Sequence, residues 1–103
     1  MRENLVILPS NEIHATPVTT SKVIAEFGGV THRAVQALIL SYEKDLNEFG
    51  KVTFEMRALG SGQNEKVYYL NEQQATLLIT YMKNTQKVRT FKKVLVKQFY
   101  LIK

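Results

Sequence analysis

The chain has no cysteine, no long apolar run, and only three acids (Glu55, Glu65 and Glu72) in its second half. Each absence excludes something. Without cysteine there is no disulfide framework, no thiolate zinc site and no cysteine nucleophile. That composition fits a reducing cytosol. The apolar runs are short, Leu5 to Leu8 being typical of the longest, whereas a bilayer span takes about 20 residues. Arg2 is not followed by the apolar stretch of a signal peptide. The two histidines, His14 and His32, lack H-x-x-x-H spacing, so no metal site is expected. No nucleophile motif surrounds any serine or threonine, and the glycines form neither a phosphate loop nor a dinucleotide fingerprint. The sequence is therefore read as a non-enzyme without a cofactor.

What is present is a chain of 103 residues, 45 % hydrophobic and 22 % charged. That is enough for one domain, residues 1–103, with a core that needs no staple. The net charge of +5 is uneven. Residues 1–50 hold Arg2, Lys22, Arg33 and Lys44 against six acids, while residues 51–103 hold ten Lys or Arg against three acids. A basic half suits an anionic partner, and equally a plain solvated surface.

Local patterns predict an α+β chain. Leu5–Leu8, closed by Pro9, reads as a short strand, and Ile13–Ala15 as another before Pro17. Thr19, Thr20 and Ser21 offer caps to a helix carrying Val23, Ile24 and Phe27, which Gly28-Gly29 ends. Thr31 caps a second helix with the stripe Val35, Leu38, Ile39 and Tyr42. Helix, glycine turn, helix is the layout of a helix-turn-helix. Val52–Leu59 alternates as a half-buried strand, with Val52, Phe54, Met56 and Ala58 on one face and Thr53, Glu55 and Arg57 on the other. A polar connection over 60–65 leads to a return strand, Val67–Leu70, and completes a β-hairpin. Asn71 with Gln74 makes a capping-box pair ahead of a helix carrying Ala75, Leu78, Ile79 and Met82. Asn84-Thr85 breaks that helix and caps the last one, whose apolar face is Val88, Phe91, Leu95, Phe99 and Ile102.

Three groups of polar residues are candidates for function. At the start of the second helix, Thr31, His32, Arg33 and Gln36 lie off the apolar stripe. Arg and Gln can bond bidentately to guanine and adenine edges, and a helix N-terminus offers free N–H groups to phosphate. The hairpin carries Arg57 and Lys66, and its polar tip suits a wing that touches the DNA backbone. Lys87, Arg89, Lys92, Lys93 and Lys97 line the last helix off its apolar face, where they suit phosphate contact. For each group the alternative is a solvated surface. For the last helix a protein partner is also open, since Tyr100 and Ile102 lie near its end.

Two stretches carry a family resemblance. The first is Ile24-Ala25-Glu26, then Gly29, His32 with the basic Arg33, Val35 and Ile39. The second is Tyr69-Leu70-Asn71, Gln74-Ala75, Leu77-Leu78, Asn84-Thr85-Gln86-Lys87-Val88, Phe91-Lys92 and Lys97-Gln98-Phe99. In their order and spacing, over about residues 18–100, these resemble the Rha family of phage and prophage regulatory proteins. The chain departs from that pattern at Gly29-Val30-Thr31, where the family often has a basic residue, and at Ala34, where it often has Asn. The resemblance implies a DNA-binding regulator, often with a further C-terminal domain, in which His32 fixes the turn or touches DNA.

The expectation is thus a winged-helix-like α+β domain with a helix-turn-helix, a β-hairpin and two C-terminal helices, the N-terminal part of a longer protein. It is expected to act in the cytoplasm of a bacterial host, away from membranes, on double-stranded DNA. The rival is an antirepressor-type module that captures another regulator. A homodimer is also open.

Overall fold

The computed structural model describes residues 6–7 and 16–102. The expected strand at Ile13–Ala15 lies outside them, as do Leu5 and Leu8 of the first expected strand. Of that first strand, Ile7 forms an isolated antiparallel bridge with Val18, sealed by two backbone hydrogen bonds of 2.7 Å.

Thr19–Thr20 form β1, and the chain turns at once into α1, Ser21–Gly28. Thr20 remains extended, and its hydroxyl accepts the Val23 N–H at 3.2 Å, which starts the helix. Gly29 ends it at φ 76°, a left-handed conformation that glycine adopts without a Cβ penalty. Three residues later α2, His32–Ser41, opens under a Thr31 cap whose hydroxyl accepts the Ala34 N–H. It buries Val35 and Ile39, with Leu38 half-buried beside them.

A short α3, Glu43–Leu46, and a 3-10 turn, Asn47–Phe49, follow. Leu46 is their buried anchor, and the Asn47 side chain accepts the Val52 N–H at 3.0 Å. The hairpin strands are β2, Thr53–Ala58, and β3, Asn64–Leu70. The return strand therefore begins three residues before the expected Val67, because the polar Asn64, Glu65 and Lys66 pair with Ala58, Arg57 and Met56. Both β1 and β2 pair antiparallel with β3, giving the strand order β1-β3-β2. β2 departs from the expected half-burial. Val52 is buried, but Phe54 and Met56 are 50 % and 55 % exposed, because among the described residues no element covers that face.

α4, Glu72–Thr80, begins with the full capping box of Asn71 and Gln74. Gln74 is itself buried, and its amide donates to the carbonyls of Leu46 and Gly50, tying α4 to the end of α3. α5, Gln86–Ile102, starts where the Thr85 hydroxyl accepts the Val88 N–H. Val88, Phe91, Leu95 and Phe99 are buried, as their spacing requires. The described part of the molecule is thus α+β, with five α-helices and a three-stranded antiparallel sheet. One apolar cluster joins Ile24, Ile39, Leu46, Leu70, Leu78, Leu95 and Phe99 across these elements.

Candidate functional site

The α1–α2 pair is fastened to β3 by a chain of side chains. Ser21 opens α1 and is completely buried. Its Oγ accepts the Tyr68 N–H at 2.9 Å and lies 2.8 Å from His32 Nε2. His32 opens α2, and its Nδ1 lies 3.2 Å from Glu65 Oε1 on β3. Lys22 donates to the other oxygen of the same carboxylate. A neutral ring with its proton on Nδ1 satisfies every partner: Nδ1–H donates to Glu65, and Nε2 accepts the Ser21 hydroxyl. The Lys22 ammonium holds the Glu65 carboxyl below the usual carboxylate range against the opposing effect of burial, and His32 adds to the lowering.

Serine, histidine and carboxylate in this order resemble a nucleophile relay. The geometry argues otherwise for Ser21, whose oxygen has no exposed surface and already holds a backbone amide. The three residues act as a clamp between α1, α2 and β3. Gln36 extends it one turn along α2, donating its amide to the Lys66 carbonyl at 2.8 Å.

The clamp decides which residues of α2 face outward. Thr31 is exposed but spends its hydroxyl on the cap. His32 and Gln36 turn toward β3. Arg33, Ala34, Ala37 and Leu40 are exposed, Leu40 to 58 %. Arg33 is the one cation in α2, so the outer row is a single guanidinium followed by small and apolar side chains.

The other cations fall in separate places. In the hairpin, Arg57 pairs with Glu55, which also accepts the Tyr69 hydroxyl. The Tyr69 hydroxyl and then Arg57 hold the Glu55 carboxyl low, and Glu55 in turn raises Arg57. Lys66 sets its ammonium 4.2 Å above the Phe54 ring, a cation–π contact. The tip, residues 59–63, has no cation.

In α5, Lys87 lies across the glycine turn. A Cβ on Gly29 would meet its Cδ at 2.9 Å and its Nζ at 3.3 Å. Lys87 therefore brings a positive charge to the connection ahead of α2. Arg89 donates to the Asn84 carbonyl at the start of its own helix. Lys92 is half-buried, while Lys93 and Lys97 are exposed. At about 1.5 Å per residue, Lys97 lies roughly 15 Å along the axis from Lys87. Of the five α5 cations, Lys87 has a placement against the turn fixed by contact.

Sequence reasoning missed Ser21, read only as a cap, and Glu65, read only as loop. Neither sits in a local motif with His32, since Ser21 is 11 and Glu65 33 positions away.

Among the described residues no helix is long and apolar enough to cross a membrane. Residues 19–103 match the sequence model of a family described as phage regulatory protein Rha. No curated protein and no solved structure matches the chain.

Proposed function

The chain belongs to the Rha family of phage regulatory proteins, and from that premise we propose that it binds double-stranded DNA as a winged-helix-like regulator of transcription in the bacterial cytoplasm. In this reading α1 and α2 are the helix-turn-helix, α2 enters the major groove, and the β2–β3 hairpin is the wing. The order of elements supports it. β1 precedes the two helices, the hairpin follows them, and β1 closes the sheet beside β3.

The observation that carries the reading is the outer row of α2. Arg33 leads a run of small side chains, Ala34 and Ala37, that allows close approach to base edges. Arg33 is the base-reading residue, since an arginine suits the two acceptors of guanine. His32 and Gln36 hold α2 in position. Lys87 at the turn, with Lys93 and Lys97 further along α5, contacts phosphate, which supplies affinity without reading sequence. No catalytic step belongs to this role.

A second reading has one observation in its favour. Val30, just ahead of α2, and Leu40, near its end, are both exposed, which suits a protein surface better than a groove lined by phosphates. In that reading the module captures another regulator. Selection of bound duplexes from a random pool separates the two. Enrichment of a common motif supports DNA readout. A pool that stays random, with no duplex retained at low salt, overturns it and leaves the protein-capture reading.

A further inference from the structure

Beyond the α2 row and the phosphate-holding lysines, the clearest feature is the outer edge of the sheet. β2 is a terminal strand, paired on one side with β3 and, among the described residues, with nothing on the other. Its six residues, Thr53–Ala58, include no proline or lysine. Those are among the devices that keep an open edge from pairing with another chain. Apolar side chains line one face of the strand, with Phe54 50 % and Met56 55 % exposed. The opposite face carries Glu55 and Arg57, each more than two-fifths exposed.

The sequence of this edge is complementary to itself. In an antiparallel pair of two β2 strands centred on Met56, Met56 faces its own mate. Glu55 then faces the partner's Arg57, and Arg57 the partner's Glu55. Phe54 faces the partner's Ala58. Every apolar residue meets an apolar one and both charges meet their opposites, which is the pattern of a two-fold interface. Neighbouring registers lack it. Centring on Glu55 or on Arg57 sets like charges face to face. A slip of one residue turns one apolar face over onto the charged one.

We propose that β2 is a self-pairing edge through which two copies of this chain join their sheets into one six-stranded sheet. The Glu55–Arg57 ion pair within each strand opens, and two reciprocal pairs between strands replace it. The interface is small, so the dimer is weak and concentration-dependent.

The chain has no cysteine, so a single introduced thiol reports the register directly. Under mild oxidation M56C forms a disulfide-linked dimer, while F54C, which faces Ala58 of the other copy, links far more slowly. Sedimentation equilibrium up to about 1 mM, a range suited to small interfaces, shows a monomer–dimer equilibrium for the parent. E55R or R57E alone weakens it by about tenfold, and E55R with R57E restores it. M56K removes it. Because these side chains are exposed, an unchanged far-ultraviolet spectrum and Tm show that each variant is folded. A parent that stays monomeric to that concentration leaves the edge to a strand of some other protein and overturns the proposal. So does a dimer that M56K leaves intact, or one that the double charge swap fails to restore.

Discussion

His32 and Glu65, 33 positions apart in sequence, meet with Nδ1 3.2 Å from Oε1. Through that contact the first residue of α2 is fixed to β3, and through Nε2 the same ring reaches Ser21 at the start of α1. Replacing His32 by Ala leaves the proton of the buried Ser21 hydroxyl without its acceptor, while Oγ keeps the Tyr68 N–H. The expected loss is about 1–3 kcal/mol, the scale for stranding a buried polar group, read by urea unfolding. A loss under about 0.5 kcal/mol, within the usual range for surface substitutions, would show that the clamp does not support the fold.

The same carboxylate predicts a pH dependence. Lys22 holds Glu65 below its ordinary range in the folded state. A carboxylate lowered in this way contributes stability above its unfolded pKa, near 4.3, and loses it as pH falls through the folded value. The parent should therefore be more stable than Glu65→Gln at neutral pH. The gap should close as pH drops below about 4. Added salt should narrow it as well, since Lys22 is partly exposed. A gap that stays constant from neutral to acid would exclude Glu65 as its source.

Much of the fold was legible because its signals are local. Thr31, Asn71 with Gln74, and Thr85 each cap a helix through bonds to residues three positions on. Val88, Phe91, Leu95 and Phe99 declare one face of α5 by spacing alone. What was not legible depends on distant partners. Alternation put Phe54 and Met56 on one face but carried no information on whether anything covers it. Asn64 and Glu65 look like loop until Ala58 and Arg57 are there to pair with. The segment Glu43–Phe49 has no apolar period, and Leu46 alone anchors it in the core. In the candidate site, the outward place of Arg33 was legible from the apolar stripe of α2. The inward turn of His32 and Gln36 was missed, because their partners Glu65 and Lys66 belong to a strand made by long-range pairing.

Phe91 is 4 % exposed and stacks on Phe27 with ring centroids 6.0 Å apart. It ties α5 to α1. Phe91→Ala should cost about 3–5 kcal/mol in denaturant unfolding. A loss under about 1 kcal/mol would mean that the site collapses around the deletion, or that α5 is not needed to hold α1.

At Gly29 two effects compete, and their sizes decide between them. Any side chain there must adopt φ 76°, which costs an L-residue about 1–2 kcal/mol. The added Cβ also meets Lys87 Cδ at 2.9 Å, but that atom belongs to a flexible side chain that can move aside. Gly29→Ala should lose about 1–2 kcal/mol, and adding Lys87→Ala should not recover it. Recovery in the double variant would assign the cost to the contact instead of the dihedral.

On the proposed function, α2 reads DNA through Arg33 while lysines such as Lys87 hold phosphate. The most direct test is affinity for a selected duplex and for unrelated duplexes across a salt series, in the parent, Arg33→Ala and Lys87→Ala. The parent should bind with an affinity that falls linearly as salt rises on logarithmic axes. Arg33→Ala should lose roughly 1–3 kcal/mol on the selected site and relax preference at one position. Lys87→Ala should weaken all duplexes alike and reduce the salt slope by about 1. A parent that binds no duplex at low salt, or an Arg33→Ala variant that keeps full preference for the selected site, would contradict the account.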